Sequence, residues 1–177
     1  MICRRQEVGM QGESLPFVAI GAAIIAGCVW FVQRYELVRF TDKDDMQWCK
    51  PDVKEGTQRF GRDAAYLGPQ DISQLQLVQF RTPRTGRLTL SRVIAVEGQR
   101  VSIAAGKVQV DGQELREPYG KGMSVNDVAP ELLVPYGCIY VLNDVRQGDR
   151  FDSRAFGPIP VGAVTYVFAA KEPEAVR

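Results

Sequence analysis

The 177-residue chain contains no histidine. That absence removes the Ser-His-Asp triad, the Cys-His pair and every histidine-containing zinc or iron site. The four cysteines, Cys3, Cys28, Cys49 and Cys138, show no C-x-x-C spacing, so a cysteine-only metal site has no support and no cofactor is expected. Only Cys49 and Cys138 could form a disulfide inside a soluble part, and free buried thiols are the alternative. No sign of charge dominates: 22 Lys and Arg stand against 21 Asp and Glu. The basic residues form no run of five or six, which disfavours a nucleic-acid partner. Repeats and low-complexity tracts are absent, and 45% hydrophobic with 24% charged residues is the balance of a folded chain.

What the chain does have is one uncharged apolar run, Leu15 to Val32. As a helix it would cover about 27 Å at ~1.5 Å per residue, close to the ~30 Å hydrocarbon core of a bilayer. Pro16 belongs in a first helical turn, and Trp30 and Tyr35 suit the interface at the far end. Gly21 and Gly27 would let another helix approach closely. A cleaved signal peptide wants a shorter core with a small-x-small exit. A lipoprotein site is suggested by Ile25-Ala26-Gly27-Cys28, but the apolar run continues through Val29-Trp30-Phe31-Val32. The pattern therefore predicts an uncleaved anchor over residues 15–34, touching membrane lipid, after a tail at 1–14. Arg4 and Arg5 before the span and Arg34, Arg39 and Lys43 after it specify orientation only weakly.

The rest reads as strands and turns, a single mostly β domain over 35–170 with a polar tail at 171–177. Leu75–Phe80 partly alternates, and Pro83 with Gly86 marks a turn before the apolar run Leu88–Val96. Val101-Ser102-Ile103 and Lys107–Val110 form a hairpin through Ala104-Ala105-Gly106, and Asp111-Gly112 is a second turn signal. Cys138–Leu142 and Ala163–Phe168 look like late buried strands. Val128 to Leu133 hints at a short helix, limited by Pro130 and Pro135.

Two segments narrow this further: Arg92-Val93-Ile94-Ala95-Val96-Glu97-Gly98-Gln99-Arg100-Val101 and Asp152-Ser153-Arg154-Ala155-Phe156-Gly157-Pro158-Ile159-Pro160. In order and spacing they resemble two boxes of the type I signal peptidase family, Lys-Arg-Val-Ile-x-Leu-x-Gly-Asp-x-Val and Gly-Asp-Asn…Asp-Ser-Arg-x-Phe-Gly-x-Val/Ile-Pro. Between them, Gly106–Leu115 resembles the family's hairpin, and Val134-Pro135-Tyr136-Gly137 resembles its lead into the last box. Ala95-Val96-Glu97-Gly98 is similar to the wording of mitochondrial inner membrane peptidases, although bacterial relatives with such wording exist. The resemblance implies a signal-peptidase-like β domain behind one transmembrane helix. It also implies a single-pass protein of the mitochondrial or bacterial inner membrane, its domain on the intermembrane-space or periplasmic side.

The family's chemistry, as the resemblance implies it, is a Ser-Lys dyad in which a neutral lysine takes the proton of the attacking hydroxyl. The lysine's place, immediately before Arg-Val-Ile, is held here by Ser91, which has no basicity near neutral pH. The serine's place, in Ser-Met-x-Pro-Thr-Leu, falls on Asp45 ahead of Met46-Gln47-Trp48-Cys49-Lys50. No serine lies between Ser14 and Ser73 to restore it. Neither dyad position is expected to be catalytic, and Met46, Arg92 and Val93 would line a vestigial groove. Asp152 and Arg154 are expected to hold the last loop with Ser153 bonded between them. The Gly-Asp-Asn lead is reduced to Asn143-Asp144-Val145, with an extra residue in Gln147 to Phe151. The reading is an inactive signal-peptidase-like protein, serving as an accessory or structural subunit among other membrane proteins. Its alternatives are a leader-peptide-binding partner of an active peptidase, or a serine endopeptidase rearranged around Ser91 with Lys43 or Lys50 as base.

Overall fold

The computed structural model describes residues 15–40, 58–147 and 151–170, with side chains from Ala19 onward. They fall into two units, divided between Arg34 and Tyr35. The first unit's described part is helix α1, Leu15–Arg34. From Ala19 to Val32 its side chains are apolar on every side, Ile20, Ile24, Ile25, Val29 and Val32 all being at least half exposed, and at its end the Arg34 guanidinium lies 5.1 Å from the Trp30 ring centroid. Among the described residues no helix is long and apolar enough to cross a membrane; residues 19–34 cover about 24 Å at ~1.5 Å each.

The second unit is mostly β, as its sequence implied. Its strands are β1 (Tyr35–Arg39), β2 (Gln58–Asp63), β3 (Leu77–Arg81), β4 (Leu88–Val96), β5 (Arg100–Ala104), β6 (Lys107–Val110), β7 (Gln113–Glu114), β8 (Ala129–Leu133), β9 (Cys138–Leu142), β10 (Ile159–Pro160) and β11 (Val164–Phe168), with a four-residue helix α2 (Ser153–Phe156). Seven of them form one sheet in the order β1-β2-β11-β3-β4-β9-β10, and four form another in the order β7-β6-β5-β8.

Strand β4, Leu-Thr-Leu-Ser-Arg-Val-Ile-Ala-Val, is buried from Thr89 to Ala95. Such a strand, with neighbours on both edges and cover on both faces, reads as an apolar run instead of an alternation. One face packs Val78, Phe80, Val93, Ile139, Val141 and Val167 into a core, and the other meets Leu77, Leu90, Phe40 and Phe168. A register shift against β9 between Val93 and Ala95 lets Ile94 and Ala95 join a third cluster with Val101, Ile103, Val108 and Leu142 under the smaller sheet.

The hairpin turns follow their sequence signals. Ala105 and Gly106 take φ of 49° and 74°, and Asp111 and Gly112 take 51° and 76°, the paired positive φ that matches strand twist in two-residue turns. Val128 to Leu133 were expected as a short helix; instead, Ala129–Leu133 form β8. Leu132 and Leu133 stand opposite Val101 and Arg100 of β5, so the ladder claims the segment, and Pro130 sits on an edge strand where its missing N–H leaves no gap. Cys138 is a free thiol at the start of β9; Cys49 lies outside the described residues.

Candidate functional site at Ser91 and the last loop

Ser91 lies in the middle of β4, opposite Val78 of β3. Its side chain is wholly buried, and so is that of Asn143, which follows β9. The Ser91 hydroxyl donates to Asn143 Oδ1 at 2.7 Å. The amide's other end is different: Asn143 Nδ2 is buried and has no hydrogen-bond partner among the described residues. An unmet buried donor costs about 1–3 kcal/mol, so among the described residues Ser91 holds Asn143 by the one bond that side chain makes.

The next residue along β4 points to the opposite face and carries the opposite chemistry. Arg92 is 1% exposed and forms a bidentate pair with the fully buried Asp144, Nε to Oδ1 at 2.8 Å and Nη2 to Oδ2 at 2.6 Å. Its Nη1 donates to the Leu75 carbonyl at 2.9 Å, and its guanidinium lies 3.5 Å from the Tyr119 ring centroid. Leu75 holds φ of 67°, a left-handed backbone that a bulky residue keeps only where its surroundings fix it. Here the Leu75 N–H donates to the Val93 carbonyl at 2.8 Å while Arg92 holds its C=O. One buried cation thus ties β4, the turn before β3, the end of β9 and the segment bearing Tyr119.

The last loop is organised by Asp152. One carboxylate oxygen caps α2 by accepting from the Arg154 N–H at 3.0 Å, and the other accepts from the Asn143 N–H at 3.1 Å. Arg154 returns across the same carboxylate, Nε to Oδ1 at 2.9 Å and Nη2 to Oδ2 at 2.8 Å. Burial works against the Arg154 charge, and the hydrogen bond and charge of Asp152 more than offset it, holding its pKa above the ordinary value. Asp152 and Arg154 are thus paired across the start of α2. Ser153 does not bond between them: its Oγ accepts from the Val141 N–H at 2.9 Å, because the helical turn that starts there points the side chain at β9. Gly157, at φ 79°, closes α2 with its N–H on the Ser153 carbonyl.

Two further positions depart from the sequence reading. Arg92 and Val93, expected along a groove, are closed over; Val93 is 0% exposed in the core, since β4 is covered on both faces. Arg146 carries no mark in the sequence that would single it out. Yet it is 4% exposed, forms a bidentate pair with Glu117, and donates to the Asn143 carbonyl at 2.9 Å. Only the return of the 115–123 segment alongside residues 144–146 brings Glu117 to it, through the Lys121 N–H on the Asp144 carbonyl and the Arg146 N–H on the Lys121 carbonyl.

Asp45, Met46, Lys43 and Lys50 lie outside the described residues. The described lysines, Lys107 and Lys121, are both exposed, and Lys107 pairs with Glu114 at 2.8 Å. An open cleft of about 1030 Å³ is lined by residues including Gln74, Gln99, Asp111, Gln113 and Arg116; neither Ser91 nor Asn143 is among them. Chemically, Ser91 and Asn143 form a neutral hydrogen-bonded pair in which no group can take up the hydroxyl's proton.

Comparison with known proteins gives the family of the sequence. The family model described as "Signal peptidase, peptidase S26" matches residues 16–168. The chain is 26% identical over 155 residues to "Probable signal peptidase I-1" of Synechocystis, covering 84% of this chain and 75% of that one. It is 30% identical over 101 residues to "Signal peptidase I V" of Bacillus subtilis, covering 50% and 59%. A crystal structure titled as a signal peptidase I from Enterococcus faecalis matches with 25% identity and a TM-score of 0.48, over 55% of this chain and 97% of that one.

Proposed function

We propose, from the premise that this chain belongs to the signal peptidase family, peptidase S26, that it is a catalytically silent member. In this reading it is anchored in a bacterial or mitochondrial inner membrane by residues 15–34 and works as an accessory or structural subunit of a membrane protein complex. The observation that carries it is Ser91, which stands where the family resemblance puts the general base. Its hydroxyl is wholly buried and committed to Asn143 Oδ1 at 2.7 Å. A general base must accept a proton near the working pH. Neither a serine hydroxyl nor an amide oxygen does so, and the absence of histidine from the chain removes the usual substitute. The same hydroxyl, shut between β3 and β9, is badly placed to serve as a nucleophile. Meanwhile the fold-holding pairs Arg92–Asp144 and Asp152–Arg154 are intact, which supports a domain kept for its shape.

The test is turnover. Full-length protein in mild detergent, given a preprotein with its signal peptide, should release no product above a protein-free blank, and Ser91→Ala should change nothing. Cleavage that disappears in Ser91→Ala would establish a rearranged serine peptidase instead. Extraction in the same detergent should yield the chain in a stoichiometric complex; migration as a lone monomer would remove the subunit role.

A further inference from the structure

The β3–β4 hairpin combines two features that the site at Ser91 does not use. Its tip, Arg81-Thr82-Pro83-Arg84-Thr85-Gly86-Arg87, carries three exposed arginines, and no acidic residue occurs anywhere from Ile72 to Val96. The tip is also built to hold its shape. The Thr82 N–H donates to the Arg87 carbonyl and the Gly86 N–H to the Thr82 carbonyl, each at 2.9 Å. The Thr82 and Thr85 hydroxyls are bonded at 2.6 Å, and Gly86 supplies the positive φ of 67°. Arg81 Nη1 reaches the Gly86 carbonyl, and the arginines stand out from a closed turn.

The second feature is where the sheet aims that turn. Tyr35, the first residue after α1, pairs with Arg62 near the end of β2. The end of β2 meets β11 at Tyr166 and Asp63, and the beginning of β11 meets the end of β3 through Val164 and Phe80. The chain therefore enters the domain at the same end of the large sheet from which the 81–87 turn projects. Tyr66, 57% exposed, follows β2 at that end. Asp63, the last residue of β2, and Asp71 beyond it accept from the N–H groups of Ala65 and Gly68.

We infer that the 81–87 hairpin tip docks on the phosphate headgroups of an anionic bilayer, the same bilayer that α1 enters. The inference rests on the anchored reading above, and on the turn lying at the end of the sheet where Tyr35 begins β1. Arginine forks match phosphate oxygens bidentately, and each basic residue near an anionic leaflet strengthens the attraction about fivefold.

The experiment uses full-length protein reconstituted into vesicles of phosphatidylcholine alone or with about 30% phosphatidylglycerol, read by hydrogen exchange of peptides covering 81–88. Exchange should slow at least fivefold on the anionic vesicles. The slowing should vanish at ~0.5 M salt, where the screening length falls to roughly 4 Å. It should survive Arg→Lys at 81, 84 and 87 and disappear with Arg→Gln at the same three positions. Unchanged exchange across β9 in both variants would certify that the fold is intact. Protein that floats with both vesicle types but exchanges identically would overturn the hairpin inference and leave the anchor standing. Protein that floats with neither would overturn the anchor and the inference with it. Slowing of the same size on neutral vesicles with ~10 mM inorganic phosphate would assign the turn to free anions and overturn bilayer docking.

Discussion

The buried pair Arg92–Asp144 allows one prediction to be worked through. Arg92→Met would keep much of the side chain's length and remove its charge. It would break two charge-assisted bonds to Asp144, the bond to the Leu75 carbonyl and the stacking on Tyr119. It would also leave a carboxylate with 0% exposure and no cation beside it. Removing one partner of such a pair costs about 3–5 kcal/mol, mostly because the other charge stays buried. At about 3 °C per kcal/mol for a domain of this size, the unfolding midpoint should fall by ~10–15 °C. Asp144→Leu should cost a similar amount, since it buries the guanidinium alone. The double variant is the decisive one: with both charges gone, its loss should be no larger than either single loss, a coupling of about 3 kcal/mol or more. Urea unfolding of the full-length protein in mild detergent, followed by far-UV circular dichroism, measures all four corners of the cycle. Single losses under about 1 kcal/mol, or a double loss equal to the sum, would refute the assignment of Arg92 as the buried tie between these segments.

Three more expectations follow from individual contacts. Ser91→Ala should lower stability by about 1–3 kcal/mol, because it leaves the whole Asn143 amide without a partner; no loss in urea unfolding would mean Asn143 is satisfied elsewhere. Gly106→Ala should cost about 1–3 kcal/mol by the same assay, since φ is 74° and an added Cβ would come within 2.5 Å of the Ser124 carbonyl oxygen. Tyr166 donates its hydroxyl to Glu36, and that bond, with burial and the carboxylate's charge, pushes the phenol up to about 12. With the folded pKa above the unfolded value of ~10, the stabilisation is fully present below pH ~10 and is lost as pH rises toward 12. Ultraviolet titration should show a late phenol that Tyr166→Phe deletes; a titration curve in which Tyr166→Phe removes no late component would refute it.

Order along the chain was enough for several features of this protein. The absence of histidine, the apolar run at residues 15–32, the two boxes around Arg92 and Asp152 and the paired turns at 105–106 and 111–112 are local or ordered signals. Each acts through chemistry carried by neighbouring residues: side-chain type, strand-length apolar runs and positive φ at glycine. They were sufficient for a mostly β, signal-peptidase-like reading. Tertiary structure decided matters that depend on which distant segments meet. Val128 to Leu133 hinted at a short helix, and Ala129–Leu133 became an edge strand, because β5 offered it a ladder. Val93 looked like a groove residue and became core, because helical turns and strands close both faces of β4. The Ser91–Asn143 bond spans 52 positions and Arg146–Glu117 spans 29, separations at which sequence carries no pairing rule. The same is true of the basic turn at 81–87: its arginines are plain in the sequence, but only the strand order puts them at the end where the chain enters the domain.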